Sequence, residues 1–292
     1  MKKKITDNLP DVQATKIKSI PLNRVGISNL DFPIYIKTQD GNKVLCYSVA
    51  NMYVSLSHNV KGINMSRFSA TLMKHKFTSF SSNTIYRFLR KLKQNMGSND
   101  AYIELNFKYF MTKKAPVSGL ESVLAYNCSF IGHLGDSYRF LLKVEVPVTS
   151  LCPCSKTMSL HESHSNIGSG AHNQRGEITV TIEPDTRYRK IVWIEDVIKL
   201  VEAQGSCELY SLLKRPDEKY VTEKAYNNPK FVEDIARDVA VALQNSKKTK
   251  WIKVKVENFE SIHTHNAVCY VERVKKGKQW RCSKQSLRSI SR

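Results

Sequence analysis

The chain has 292 residues, 41% hydrophobic and 25% charged, so it can bury a sizeable core and lacks the composition of a disordered chain. No apolar run approaches the roughly 18 residues of a membrane span, and Met1-Lys2-Lys3-Lys4 leads into polar text rather than a signal-peptide apolar region, so a cytoplasmic location is expected. With 46 Lys and Arg against 26 Asp and Glu, the net charge of +20 attracts polyanions without choosing among a nucleoside triphosphate, RNA and an acidic partner.

The predicted elements fall into two similar runs. In the first, FPIYIK (32–37) and KVLCYSVANMYVSL (43–56) flank the turn signal Asp40-Gly41-Asn42 and read as a hairpin. Helical text follows over 66–76 and 83–96, where Ile85, Phe88, Leu89, Leu92 and Met96 recur at helical spacing. Strands are then predicted over 101–111 and 122–131. The second run opens with YRFLLKVEVPV (138–148), in which Phe140, Leu142, Val144, Val146 and Val148 take every second place, and continues with GEITVTIEP (176–184). A helix over 194–203, a longer one from near Pro229 with the stripe Phe231, Ile235, Val239 and Leu243, and strands over 251–258 and 265–274 complete it. The order strand, strand, helix, helix, strand, strand occurs twice, which predicts a duplicated α+β unit with helices on one face of an antiparallel sheet.

Between the first two strands of the second run lies VTSLCPCSKTMSLHESHSNIGSGAHNQRG (148–176), where two cysteines, three histidines and a run of glycines and serines meet. Thiolate from Cys152 or Cys154 and imidazole from His172 suit a zinc-like or iron-like divalent ion if the loop brings them together. Cys-x-Cys is not the Cys-x2-Cys spacing of structural zinc sites, so the spacing alone does not settle the chemistry. His161 and His164 read as solvated loop residues, and Cys46, Cys128 and Cys269 as small buried hydrophobes. Seven cysteines at irregular positions argue for reduced thiols. There is no P-loop and no dinucleotide fingerprint after a strand, so a triphosphate would be held by side chains.

Four blocks, KGINMSRF (61–68), SLCPCSK (150–156) with GAHNQRG (170–176), SCELYSLLKRPDEKYVTEKAYNNPKFVED (206–234) and ENFESIHTHNA (257–267), resemble the GTP cyclohydrolase I type B family. The resemblance implies a tunnelling fold: an N-terminal segment (1–30), a first unit (31–136) and a second unit (137–273) bearing most of the site, in a homotetramer with active sites between subunits. It implies conversion of GTP and water to 7,8-dihydroneopterin triphosphate and formate, the first step of tetrahydrofolate and pterin biosynthesis. By the same resemblance Cys152, His172 and Glu208 hold a divalent metal (zinc, iron or manganese), with Cys154 in support. His263 carries protons with Glu260 beside it, and Glu223, as a buried paired carboxylate, anchors the guanine edge. Lys61, Arg67, Arg175, Lys214 and Arg215 are expected at the triphosphate.

Two features depart from the family. The loop 157–169 is longer than usual, and residues 274–292 form a tail with seven basic residues and no acidic one, expected to be disordered and dispensable. Two rivals stay open at this stage. One is a tunnelling-fold nitrile reductase of queuosine synthesis with a nucleophilic cysteine, the other a basic nucleic-acid-binding protein; neither a membrane nor a specific nucleic-acid partner is expected on the first reading.

Overall fold

The computed structural model describes residues 13, 15–161, 170–185, 191–246, 248–277 and 279–283. They form two compact units, one from the described parts of Met1–Lys37 with Leu45–Leu105 and Ile131–Phe140, the other from Thr38–Val44, Asn106–Phe130 and the described parts of Leu141–Arg292.

The first unit contains β1 (Leu22–Lys37) and most of β2 (Lys43–Leu56), then α1 (Ser66–Met73), β3 (Ser79–Phe80) and α2 (Ser82–Met96). β1 starts well before the alternation at Phe32 because residues 22–31 pair through their backbone while staying largely exposed, leaving no apolar period to read. The Ser81 hydroxyl caps α2 by accepting from the Thr84 N–H at 3.3 Å, and the helix buries Ile85, Phe88, Leu89 and Leu92 as the stripe predicts. Gly132 makes that packing possible. A Cβ there would lie 2.5 Å from Ile85 Cγ2 and 3.0 Å from Leu89 Cδ1, so any side chain would push α2 away.

Three long strands, β4 (Ala101–Lys114), β5 (Glu121–Leu134) and β6 (Tyr138–Leu151), run from one unit into the other. The second unit continues with α3 (Pro153–Leu160), β7 (Asn173–Pro184), α4 (Ile194–Glu202), β8 (Cys207–Glu208), α5 (Arg215–Asn227), α6 (Val232–Asn245), β9 (Thr249–Asn258), β10 (Ala267–Lys276) and β11 (Gln279–Cys282). Its strand order is β11-β10-β9-β7-β6-β5-β4, with β8 paired to β6. The α6 stripe of Ile235, Val239 and Leu243 is buried, and the helix packs on β9 and β10. The predicted Asp40-Gly41-Asn42 turn is present: the Thr38 N–H donates to the Asn42 carbonyl at 3.0 Å and Gly41 takes φ 91°.

α3 and α5 are not legible as helices in the sequence, since α3 buries no residue and α5 only Asp217 and Ala225. Without an apolar stripe there is no period to detect. The tail also departs from expectation. β10 continues to Lys276, and β11 pairs back on it with Val274 opposite Arg281 and Lys275 opposite Trp280. A ladder of backbone hydrogen bonds orders this basic text without needing an apolar core; residues 284–292 lie outside the described residues.

Buried charge holds the helices of the second unit in place. Asp217 has no exposed surface, and its carboxylate accepts from the Val117 N–H (2.8 Å), the Ser118 N–H (2.8 Å) and hydroxyl (2.7 Å), and the Lys214 N–H (2.9 Å). Burial pushes its pKa up, but these hydrogen bonds outweigh it and hold the carboxyl well below the usual range. At the end of α4, Glu202 accepts from Lys113 Nζ at 2.8 Å and from the Tyr126 hydroxyl at 2.6 Å, and Lys113 also reaches the Leu209 carbonyl at 2.8 Å. Lys113→Met leaves the Glu202 charge buried without its cation, and urea denaturation is expected to show a loss of about 3–5 kcal/mol.

Candidate active site

The ladder between β6 and β7 brings the motif residues together. Leu151 pairs with Asn173, Ser150 with Gln174 and Thr149 with Arg175, so the chain leaving β6 at Cys152 runs beside the chain entering β7 at His172. The Cys152 N–H donates to the His172 carbonyl at 3.2 Å, and the His172 N–H to the Ser155 hydroxyl at 3.1 Å. Cys152 is half-buried and caps α3, its Sγ accepting from the Ser155 N–H at 3.5 Å. Cys154, one step further with Pro153 between, is exposed on α3. The two thiols thus differ in exposure.

His172 Nδ1 lies 2.9 Å from Gln174 Oε1 and 3.8 Å from Glu260 Oε2. Glu260 is half-buried at the start of a loop tied to β7 by the Phe259 N–H, which donates to the Arg175 carbonyl at 2.9 Å. In that loop His263 and His265 are exposed, with ring centroids 5.1 Å apart and planes at 18°. Their rings stack across a bend rather than along one face of a strand.

Glu208 ends the short strand β8. β8 sets it opposite Val148 on β6, where it accepts from Lys224 Nζ of α5 at 2.6 Å. Burial pushes its pKa up, but the hydrogen bond and charge of Lys224 prevail and hold it below the usual glutamate range. The neighbouring Cys207 thiol is pushed up to about 11 by burial and by Glu208. Glu208 lines a small cleft of about 130 Å³ with Thr149, Asn173 and Tyr210. Among the described residues no three His, Cys, Asp or Glu side chains gather as a metal-sized group, and Glu208 is held by Lys224. Cys152 and His172 by themselves remain a donor pair of the type that borderline divalent ions take.

The expected anion-binding residues are dispersed. Arg175 is exposed on β7, and Lys214 and Arg215 are exposed at the start of α5. Lys61 and Arg67 belong to the first unit, where Arg67 donates to the Asn95 carbonyl at 3.3 Å and lines a cavity of about 570 Å³. Glu223, expected to be buried, has a side chain 61% exposed on the solvent face of α5, 3.8 Å from Lys219 one turn earlier. His161 is exposed, as expected of a loop residue, and His164 lies outside the described residues. Cys46 and Cys128 are buried as expected, whereas Cys269 is only half-buried because it sits on β10 near the sheet edge. Gln174 and Lys224 escape the sequence reading. Gln174 had a usable signal, lying two residues after His172 at the start of a strand, whereas nothing in the sequence points from Lys224 to Glu208.

Solved uricases share this architecture. The enzyme from Arthrobacter globiformis aligns with a TM-score of 0.51 at 8% identity, covering 94% of this chain and 100% of that one. Urate oxidase from Bacillus sp. TB-90 gives 0.52 at 6% identity over 87% and 100%. Fold and sheet order thus define a tunnelling-fold protein. The model of the type I GTP cyclohydrolase folE2 family matches residues 9–269. GTP cyclohydrolase FolE2 of Nitrosomonas eutropha is 46% identical over 279 residues, covering 94% of this chain and 100% of that protein. Its counterpart in Geobacter metallireducens is 45% identical over 271 residues, covering 92% and 98%. The chain belongs to the type I GTP cyclohydrolase FolE2 family, which sets aside the nitrile reductase and the nucleic-acid-binding readings.

The strand pairing beneath the site tolerates little change. Gly176 faces Asn258 across β7 and β9, and a Cβ on it would lie 2.7 Å from Asn258 Oδ1 and 3.4 Å from the Glu257 carbonyl. Asn258 is buried and donates to the Ser150 hydroxyl at 2.8 Å. Gly176→Ala is expected to displace it and cost about 1–3 kcal/mol in chemical denaturation.

Proposed function

We infer that the chain is a GTP cyclohydrolase, converting GTP and water to 7,8-dihydroneopterin triphosphate and formate at the first step of tetrahydrofolate and pterin biosynthesis. The family match over residues 9–269 carries this reading. Cys152 and His172, adjacent at the open end of the β6–β7 ladder, would hold a divalent ion, zinc, iron or manganese. Such an ion supplies a Lewis acid that generates a water-derived nucleophile at neutral pH. Glu208 is the third proposed donor, exchanging Lys224 for the metal. Glu260, beside His172, orients the segment that bears His263, whose exposed imidazole takes up and returns protons as the five-membered ring opens and formate leaves.

Glu223 would accept from the guanine N–H edge, discriminating against adenine, which lacks that donor pair. A purine anchor works best when desolvated, yet Glu223 is exposed in a single chain. That exposure supports a pocket completed by a second subunit, in a homotetramer with the sites between chains. Lys214 and Arg215, exposed at the start of α5, and Arg175, Lys61 and Arg67 are the cations proposed for the triphosphate. Cytoplasmic residence fits a GTP-consuming reaction, and no helix among the described residues is long and apolar enough to cross a membrane.

Metal-reconstituted protein incubated with GTP is expected to release formate and yield a fluorescent pterin on oxidation; production of neither would overturn the assignment. Cys152→Ala is expected to abolish turnover and sharply weaken metal retention, with a smaller effect from Cys154→Ala, because Cys154 is exposed and outside the proposed ligand pair. Metal analysis after gel filtration, run beside the formate assay, separates the two. Calorimetric titration distinguishes binding from proton transfer: His263→Ala is expected to bind GTP normally and turn over little, while Glu223→Ala loses GTP affinity.

A further inference from the structure

His172 is held by its backbone on both sides, its N–H on the Ser155 hydroxyl and its carbonyl on the Cys152 N–H, so its side-chain contacts decide how the ring is set. The nearest of these is Gln174, 9% exposed on β7 and paired across the ladder with the buried Ser150. Gln174 Oε1 lies 2.9 Å from His172 Nδ1 and 3.4 Å from the Ser261 hydroxyl. We propose that Gln174 is a positioning residue that sets His172 as the Nδ1–H tautomer, leaves Nε2 as its lone-pair donor, and ties this ring through Ser261 to the segment bearing Glu260 and His263.

An amide carbonyl oxygen only accepts, and its two lone pairs suit two donors, here the imidazole N–H and the serine O–H. Glu260 Oε2, 3.8 Å from the same nitrogen, puts a second oxygen on that side of the ring. A proton on Nδ1 faces both oxygens favourably. With the proton on Nε2 instead, the Nδ1 lone pair would face a carbonyl and a carboxylate, and turning the amide over would relieve only the first of these. A neutral histidine with Nδ1–H has one free lone pair, on Nε2, and that nitrogen is then the one able to bind a metal. What Nε2 holds rests on the metal reading above, whereas the tautomer does not. The same oxygen links the proposed ligand to the proposed proton carrier, for Ser261 stands between Glu260 and His263 in the chain.

The test uses the full chain, metal-free and labelled with 15N-histidine at about pH 8, where histidine is ordinarily neutral. The His172 signals are assigned by their loss in His172→Ala. Long-range 1H–15N correlation is expected to show Nδ1 protonated and Nε2 bare in the parent and in Gln174→Glu, which keeps an acceptor oxygen. Gln174→Met, close in shape but without an acceptor, is expected to lose that single tautomer and to bind zinc alone about 10–100-fold more weakly by calorimetry. Gln174→Glu should bind zinc like the parent, and Ser261→Ala should keep the tautomer. An Nε2–H tautomer in the parent, or a Gln174→Met chain with parental tautomer and zinc affinity, would overturn the proposal. If Gln174→Met does not fold, Gln174→Ala takes its place, with the same loss of the single tautomer expected and the same retention overturning the proposal. Zinc affinity unchanged by Cys152→Ala would instead refute the metal reading and leave the tautomer result standing.

Discussion

A single backbone hydrogen bond, from the Cys152 N–H to the His172 carbonyl, closes the β6–β7 ladder, and the site is built outward from it. Because the ladder runs in register from Leu142 opposite Ile182 to Leu151 opposite Asn173, two residues far apart in the loop text emerge at its end side by side. A slip of one residue would turn Gln174 from the Ser150 side to the other face and break every contact described for His172. Register is protected by burial: Val144, Val146 and Val148 on β6 and Ile178, Val180 and Ile182 on β7 are all fully covered, and any slip would expose them.

Around this ladder the carboxylates of the second unit do two different jobs. Asp217 and Glu202 are buried and satisfied, one by backbone and serine donors, the other by Lys113 and Tyr126. Asp217 ties α5, which has no apolar stripe, to the turn after β4, and Glu202 ties the end of α4 to β4 and β5. Glu208 and Glu260 are only partly covered and each touches a single basic group, Lys224 and His172 respectively. Such groups can change partner at modest cost, whereas Asp217 cannot, since losing its ionised form would leave several donors without an acceptor.

The large positive charge has a local meaning in this fold. Lys214, Arg215 and Arg175 of the second unit stand exposed, whereas Lys113, Lys224 and Lys255 are engaged by carboxylates. Excess charge of this kind costs little while it is solvated and attracts polyanions. The β10–β11 hairpin places further basic residues in ordered backbone.

The alternation and helical stripes in the sequence determined the α+β class, the doubled run of elements and the positions of α2, α4, α6 and the long strands, because each buries a periodic apolar face and burial is a local property of the text. The motif text likewise singled out Cys152, His172, Glu260 and His263. What it left dark has one physical cause. α3, α5, the first part of β1 and the hairpin after residue 273 are held by capping, buried polar contacts or backbone pairing, none of which leaves an apolar period. The partners of the site residues were beyond it for a related reason: Lys224 meets Glu208, and Ser261 meets Gln174, only because strand order brings distant segments together. Tertiary structure alone decided that Glu208 is already held by a cation, that Glu223 is exposed in one chain, and that the His172 ring is gripped at Nδ1, since each depends on geometry between residues far apart in the chain.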